Sequence, residues 1–338
     1  MAYLTFEILS NGNINWCCNN NSTTRNTIEY RKNGGSWVSI TATNDTTTGG
    51  VNIAVLSGDV LEFRGDNATY SSSTARYGMF GNGNTTAQFK ASGNIMSLIN
   101  STDFENLKSF TGTYTFRALF NNCSTLMDVS NLILPATGLT TGSYRFMFQN
   151  CSNITTAPKL PATTLVSECY QGMFLGCSKL NNIECLATSI TASNCTYQWV
   201  SGVTSSGTFI KNPSMNSWGS GINGIPTNWT VQDKQFFYVE PDLLAFKLSG
   251  GTQVVSLISE TNWSSTTSVP WLNISPSTGE SGTTSVSVSV AKTIFDSRAG
   301  IITFIDEELD YAVCTVEQGG TDGLVPYKKI FRNENRIN

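Results

Sequence analysis

The sequence predicts a mainly β protein in three parts, with two β-sandwiches flanking a short solenoid of stacked repeats. Three observations support this fold class. Both ends of the chain alternate apolar and polar residues with the period of a half-buried strand, the middle repeats one motif, and 338 residues suffice for two or three domains. We expect domains at 1–100, 101–235 and 236–320, followed by a tail at 321–338.

The N-terminal domain carries a strong hairpin signal. The alternating run at 27–31 is followed by Asn33-Gly34-Gly35 and by a second alternating run at 37–40. An Asn-Gly pair between two such runs favours a tight turn. Residues 3–9 and 57–64 add further strands, and together these runs predict a small antiparallel sandwich.

The middle of the chain repeats a motif that begins with an aromatic residue and continues through Cys-Ser. Its copies span 114–126, 144–154 and 170–180, and their cysteines are spaced by 28 and then 26 residues. Leu134-Pro-Ala-Thr137 and Leu160-Pro-Ala-Thr163 form a second motif between them. Each unit predicts one short helix or turn plus one short extended segment, and neither can bury its apolar side without a stacked neighbour. The inward ladder is expected to consist of Phe120, Phe148, Phe174, Cys123, Cys151 and Cys177.

These units resemble the BspA-type leucine-rich repeats, whose pattern runs Met-Phe-x-x-Cys-x-x-Leu and then Leu-Pro-Ala-Thr-x-Leu. The resemblance covers roughly residues 112–230 and implies a leucine-rich-repeat solenoid of α/β units. The first domain resembles the N-terminal module often fused to such repeats, which implies association rather than chemistry. Trp218 and Trp229 are expected to seal the open end of the stack, with an exposed aromatic binding platform as the alternative.

The chain has nine cysteines and no Cys-x-x-Cys pair. Cys123, Cys151 and Cys177 occupy the same position in successive repeats. Free cysteine packs as a small hydrophobe. We therefore expect buried free thiols, and leave a disulfide ladder and a metal cluster as alternatives. The odd number of cysteines weakens the case for a full disulfide framework.

The C-terminal domain contains a strand of unbroken alternation, which places Val286, Val288 and Val290 on one face. Its motifs resemble a BACON domain, a sandwich associated with Bacteroidetes. The residues that carry the resemblance are Trp263, Pro270-Trp271-Leu272, the run from Arg298 to Phe304, and Val316-x-Gln318. It covers about residues 236–320 and implies an immunoglobulin-like fold with a role in binding glycans or mucin.

Glycan sites on β-sandwiches stack a sugar on an aromatic ring beside amide or hydroxyl donors. Trp263 and Trp271 have asparagine neighbours in the sequence, but a tryptophan at the start of a strand is also a common core residue. If both are core residues, a ligand must meet loop tyrosines instead. The candidate glycan-binding residues are therefore Trp263, Trp271, Asn262, Asn273, Tyr238 and Tyr311.

The absence of histidine excludes imidazole acid–base chemistry, serine–histidine and cysteine–histidine nucleophiles, and histidine-ligated metals. The one acidic cluster, residues 306–310, falls between two predicted strands and is interpreted as a solvated turn rather than a glycosidase pair. We expect no catalytic residues, no cofactor and no bound metal, and hence no enzyme.

A net charge of −4 without a basic block disfavours nucleic acid as a partner, and no apolar run is long enough for membrane insertion. The chain opens without a visible export signal. With the two resemblances, these features favour a virion surface protein of a bacteriophage that infects gut Bacteroidetes. Such a fibre or capsid decoration would bind host or mucus glycans and other virion proteins, as a homo-oligomer with a trimer favoured. The alternatives are a Bacteroidetes cell-surface adhesin with the same modules and, less favoured, a glycan-processing enzyme with accessory modules.

Overall fold

The computed structural model describes residues 2–19, 23–45, 49–234, 237–259, 261–294, 297–307 and 311–319. The predicted tail at 321–338 lies outside the described residues. The described chain is mainly β, which confirms the predicted class. Helical structure within these ranges is confined to the 3-10 turns Ile95–Leu98 and Phe104–Asn106. The chain divides into two compact units, the first of which ends at Lys234.

The first unit begins with strands that form two sheets. They are β1 Leu4–Ile8, β2 Gly12–Cys18, β3 Thr27–Lys32, β4 Val38–Thr41, β5 Thr43–Asn44, β6 Val51–Val55, β7 Val60–Arg64 and β8 Phe89–Asn94. One sheet has the order β8-β1-β7-β3-β4 with antiparallel neighbours, and the other has the order β5-β2-β6. Both contribute to one core, because alternate residues of each are buried, such as Phe6 and Ile8 of β1 and Ile53 and Val55 of β6.

The Asn-Gly sequence forms the turn between β3 and β4. Asn33 has a φ of 52° and Gly34 a φ of 71°, so two successive residues are left-handed. Such a turn matches the twist of the flanking strands. The two strands pair antiparallel, with Glu29 opposite Ser39.

The repeats fold into stacked turn segments rather than helices. We number these segments one to four, at 114–122, 142–150, 168–176 and 194–202. Left-handed backbone recurs at every fourth position of each segment. These positions are Tyr114, Ala118 and Asn122, then Gly142, Phe146 and Asn150, then Glu168, Gly172 and Gly176, and finally Asn194, Gln198 and Gly202. A right-handed helix excludes such residues, so of the two expected forms, helix or turn, the segments adopt the turn.

Alternate backbone N–H groups connect one turn segment to the next. Within the first segment, Leu119 N donates to Phe116 O three residues back, at 3.3 Å. Phe116 N instead donates to Ser143 O of the second segment at 2.8 Å, and Tyr144 N repeats this with Cys169 O of the third at 2.9 Å. Successive segments are therefore joined like neighbouring strands, and equivalent side chains form columns.

Short strands follow the turn segments along the chain. They are β9 Leu126–Asp128, β10 Leu132–Ile133, β11 Asn182–Cys185, β12 Thr208–Lys211 and β13 Thr230–Asp233. β11, β12 and β13 pair in parallel, with Ile183 opposite Phe209 and Phe209 opposite Val231. β8 pairs in parallel with β9 and β10, so the N-terminal sheet continues into the repeats.

Two columns of aromatic rings pass through the stack. One contains Tyr70, Phe116, Tyr144, Tyr170, Trp199 and Trp218, with stacked rings 5.5–6.4 Å apart. The other contains Phe80, Phe120, Phe148 and Phe174, with rings 5.6–5.8 Å apart. Both columns begin before residue 100, at Tyr70 and Phe80. The core is continuous from Leu4 to Trp229, and the sequence-based boundary near residue 100 lies inside it.

The second unit consists of two sheets around a separate core. Its strands are β14 Tyr238–Glu240, β15 Leu243–Phe246, β16 Gly251–Ser259, β17 Trp263–Thr267, β18 Leu272–Ser275, β19 Thr278–Gly279, β20 Gly282–Val290, β21 Ser297–Asp306 and β22 Tyr311–Gly319. The sheets have the orders β14-β16-β20-β18 and β15-β22-β21-β17-β19. Val286, Val288 and Val290 of β20 enter this core with Phe304 of β21 and Cys314 of β22. Among the described residues, no helix has the length and apolar character needed to span a membrane.

Candidate functional site

The predicted glycan-binding residues lie in the second unit, and the structure divides them between its two sheets. Trp263 begins β17 and Tyr311 begins β22, both in the five-stranded sheet. Asn262 directly precedes β17. Tyr238 and Asn273 lie on β14 and β18, at opposite edges of the four-stranded sheet. The sequence therefore pointed to two surfaces rather than one.

Trp263 is a core residue, 3% exposed. Its ring packs edge-to-face on Phe304, with centroids 5.8 Å apart. Gly279 of β19 lies against the indole so closely that a Cβ there would overlap the ring. The strand alternation points Trp263 inward, so its ring face is not available for stacking a sugar. Its Nε1 is buried without a hydrogen-bond partner among the described residues.

Trp271 is half-buried, and the guanidinium of Arg298 lies 4.2 Å from its ring centroid. A cation placed over an aromatic face is attracted by the ring quadrupole. One face of Trp271 is therefore already occupied by a residue of the same domain.

Asn273 and Tyr238 are both exposed, but they lie far apart on the four-stranded sheet. Asn273 is opposite Ser289 of β20, whereas Tyr238 is opposite Ile258, which in turn is opposite Thr283 of β20. Ser289 and Thr283 are separated by six residues along one strand, a distance of roughly 20 Å. A single sugar cannot contact both.

The five-stranded sheet carries a shallow depression of about 210 Å³ lined by Asn262, Trp263, Ser264, Ile305, Asp306 and Glu307. Ser264 is opposite Ile305, and Ile305 is opposite Tyr311, so the three side chains form one row on the same face. Tyr311, at one end of this row, is 50% exposed. We call these lining residues together with Tyr311 the Tyr311 depression.

A second row in the Tyr311 depression is polar. Glu307 N donates to Asn262 O at 3.2 Å, and Asn262 Nδ2 donates to Glu307 Oε1 at 2.9 Å. Both side chains are exposed. An amide, a carboxylate and the Ser264 hydroxyl therefore lie beside the apolar surface of Ile305 and Tyr311.

The two carboxylates of the Tyr311 depression do not form a hydrolytic pair. Asp306 is 7% exposed and lies opposite Trp263, whereas its neighbour Glu307 is exposed. Successive residues of a strand point to opposite faces. A glycosidase needs two carboxyl groups that face one cleft, and this arrangement instead offers one accessible acceptor for binding.

The depression includes residues that the sequence did not identify as binding residues. Ile305 and Glu307 become visible only through the pairing of β17, β21 and β22, which places them beside Ser264 and Tyr311. The available signal was the alternation of β21, whose odd-numbered residues point away from the buried Phe304. Glu307 was included in the acidic run interpreted as a solvated turn, of which residues 308–310 lie outside the described ranges.

The predicted cysteine ladder lies in the first unit. Cys123, Cys151 and Cys177 are buried free thiols, as are the other six cysteines. Cys151 Sγ donates to Phe120 O at 3.1 Å, and Cys177 Sγ donates to Phe148 O at 3.0 Å. Burial raises the pKa of the Cys177 thiol to about 12, so these groups stay protonated. No cluster of three potential metal-ligating side chains occurs in the part of the chain that the structure describes.

No protein-family model matches this sequence, and no curated protein matches it. A GH5 xyloglucanase of Bacteroides ovatus in complex with a XXXG heptasaccharide is 23% identical over 24% of this chain and 17% of that chain, with a TM-score of 0.23. SSP-19, an MSP-domain-like protein of Caenorhabditis elegans, is 10% identical over 25% of this chain and 99% of its own, with a TM-score of 0.21. WR4, an MSP family member of the same organism, is 14% identical over 26% and 99%, with a TM-score of 0.21. These TM-scores are too low to define a shared fold.

Proposed function

We propose that this chain is a non-enzymatic binding protein that holds glycans in the Tyr311 depression. One observation carries the proposal, the row of Ser264, Ile305 and Tyr311 beside the polar pair Asn262 and Glu307. A sugar presents an apolar C–H face and a rim of hydroxyl groups, and these two surfaces need different partners. The depression offers an exposed ring for the first and amide, carboxylate and hydroxyl groups for the second.

For the two units we propose the families that the sequence resembles. Turn segments that recur at 28 and 26 residues, with parallel strands and an inward cysteine, support a BspA-type leucine-rich-repeat stack over 112–230. The two sheets around one core within residues 237–319 support an immunoglobulin-like BACON domain. The glycan ligand follows from both the resemblance to BACON domains and the depression.

The setting that we propose is the surface of a bacteriophage virion, where the chain serves as a fibre or capsid decoration. Its partners there are other virion proteins and the glycans of the host surface or of mucus. The assembly is a homo-oligomer, with a trimer favoured, a state that light scattering measures directly. Asn, Ser and Thr number 33, 39 and 43 of the 338 residues, and this polar composition suits an exposed adhesin.

A glycan array probed with the full chain tests the proposal, using two matched variants. Asn262→Ala removes the amide of the Tyr311 depression, whereas Asn273→Ala removes an amide that is also exposed but lies on the other sheet. One lost hydrogen bond to a ligand lowers affinity by about three- to tenfold. We therefore expect Asn262→Ala to weaken binding by this factor and Asn273→Ala to leave it unchanged.

Two outcomes would contradict the proposal. The first is an absence of binding to any mucin or capsular glycan, which would favour a purely structural module. The second is a loss of binding in Asn273→Ala with none in Asn262→Ala, which would move the site to the four-stranded sheet.

A further inference from the structure

Three arginines lie in one column on the first unit. Arg117 and Arg145 occupy equivalent positions of the first and second turn segments, which are joined by the hydrogen bond from Ala118 N to Arg145 O at 2.9 Å. Arg76 lies on the N-terminal side of Arg117, because Ser71 pairs with Arg76 and donates its hydroxyl to Arg117 O at 3.0 Å. Adjacent strands are about 4.8 Å apart, so the three side chains begin close together. We call Arg76, Arg117 and Arg145 the arginine column.

The positive charge of the arginine column exceeds the negative charge that it meets. Arg145 Nη1 lies 2.6 Å from Glu168 Oε2, the one ion pair that the column forms within the described ranges. Asp45 accepts a hydrogen bond from Asn82. Burial raises the pKa of the Cys17 thiol, Asp45 lies close enough to raise it further, and Arg76 lowers it. Among the described residues, three guanidinium groups therefore face the carboxylates of Glu168 and Asp45, and only Glu168 forms an ion pair with the column.

Several donors of the arginine column have no acceptor. The Nε groups of all three arginines and Nη1 of Arg117 are buried without a hydrogen-bond partner among the described residues. Burial and the neighbouring charges of Arg145 and Arg76 lower the pKa of Arg117 from 12.5 to about 10. Arg117 is nevertheless protonated at neutral pH, so the column keeps its charge. Unpaired charged donors are costly, and an anion that accepts their hydrogen bonds removes that cost.

The chemistry of the arginine column favours an oxyanion attached to a sugar. The planar fork of a guanidinium matches sulfate and carboxylate groups. All three arginines are partly exposed, so their side chains can turn donors toward a group that arrives from solvent. Gln171 occupies the equivalent position of the third turn segment, and its buried Oε1 has no hydrogen-bond partner among the described residues. A sugar hydroxyl can donate to Gln171, whereas inorganic sulfate carries no proton at neutral pH and cannot donate. A net charge of −4 makes the whole chain a poor partner for nucleic acid.

We propose that the arginine column, with Gln171, is an acidic-glycan site that binds a sulfate ester or carboxylate group of a carbohydrate. This inference rests on the proposed glycan-binding function and names a second site for it, on the first unit. Neutral sugars are assigned to the Tyr311 depression, and acidic sugars to the arginine column.

Calorimetric titration of the full chain tests this assignment by measuring affinity for three probes. The probes are a chondroitin sulfate hexasaccharide, the desulfated hexasaccharide that keeps only its carboxylates, and inorganic sulfate. Arg117→Gln removes the central guanidinium, and Lys179→Gln is the matched control because it removes one exposed charge of the same stack. We expect Arg117→Gln to weaken binding of the sulfated hexasaccharide by about tenfold or more, and Lys179→Gln to leave it unchanged. The desulfated probe reports whether sulfate or carboxylate is the preferred group.

Thermal unfolding adds a readout that a purely structural role would not produce. Arg117→Gln relieves repulsion in the column, so the variant without ligand should melt at or above the wild-type temperature at low salt while losing the shift caused by the sulfated hexasaccharide. Equal binding of that probe by wild type and Arg117→Gln would overturn the inference, as would tighter binding of inorganic sulfate than of either hexasaccharide. If neutral glycans still bind and depend on Asn262, the proposed function survives the failure of this site.

Discussion

A single buried thiol shows how the repeat stack satisfies its polar groups. Cys151 is fully buried, and burial raises the pKa of its thiol well above the ordinary value. The protonated Sγ donates to Phe120 O of the first turn segment, at 3.1 Å. The thiol thus combines an apolar surface for the core with a weak donor for a backbone carbonyl. Cys177 makes the same bond to Phe148 O.

We expect Cys151→Ser to lower the free energy of unfolding by about 1–3 kcal/mol. A hydroxyl costs more to bury than a thiol, and its shorter bond to Cβ moves the donor away from Phe120 O. Urea unfolding under reducing conditions measures the change. Cys151→Ala is the control, since it removes volume without burying a hydroxyl. A serine variant as stable as the wild type would contradict this account.

At the scale of the element, the turn segments depend on left-handed residues that face an aromatic ring. Gly172 has a φ of 58°, and a Cβ at this position would overlap the ring of Phe146 in the preceding segment. Gly202 occupies an end position of the fourth segment with a φ of 81°, but the nearest atom to a Cβ there is 3.4 Å away. The two glycines share the backbone constraint, and only Gly172 also has a steric one.

Gly172→Ala should therefore destabilise the protein more than Gly202→Ala does. Both variants carry the cost of a left-handed alanine, about 1–2 kcal/mol. Gly172→Ala adds the overpacking of Phe146, a further 1–3 kcal/mol or so. Urea unfolding of the two variants measures the difference. Equal destabilisation would show that the ring of Phe146 moves aside without cost.

The repeat period made the columns of Phe120 and Cys151 predictable, because equivalent residues of stacked units must share one environment. The left-handed positions were not predictable from residue type. Tyrosine, alanine and phenylalanine rarely adopt positive φ. At Tyr114, Ala118 and Phe146 positive φ occurs together with a backbone hydrogen bond to the next repeat.

The candidate sites show the same limit of local sequence signals. Asn262 and Tyr311 were identifiable as polar and aromatic residues near a strand end. Their proximity to Ile305 and Glu307 depends on the register of three strands, which no local pattern specifies. Trp263 has the neighbours of a binding residue, yet its strand points it into the core. Arg117 and Arg145 lie 28 residues apart, at equivalent positions of two repeats, which the sequence shows. That they have more positive charge than neighbouring carboxylates can balance becomes visible only in the packed stack.

At the scale of the whole molecule, the chain combines a long continuous core with a smaller separate one. The first core joins the N-terminal sheets to the repeats through Tyr70, Phe80 and the aromatic columns. The second core belongs to residues 237–319 alone. Each unit thus has its own source of stability, and each offers a polar surface of different chemistry. The arginine column suits acidic groups, and the Tyr311 depression suits neutral sugars.

The central claim is tested most directly with a neutral glycan identified on the array. The measurement is the affinity of the full chain for that glycan in Tyr311→Ala and in Tyr238→Ala, each compared with the wild type. The two tyrosines are matched, since their exposures are 50% and 40% and they lie on different sheets of the same unit. Loss of a stacking ring lowers affinity by about tenfold. We predict this loss for Tyr311→Ala and unchanged affinity for Tyr238→Ala. Unchanged affinity in Tyr311→Ala, or an equal loss in both variants, would contradict the assignment of the Tyr311 depression as the glycan site.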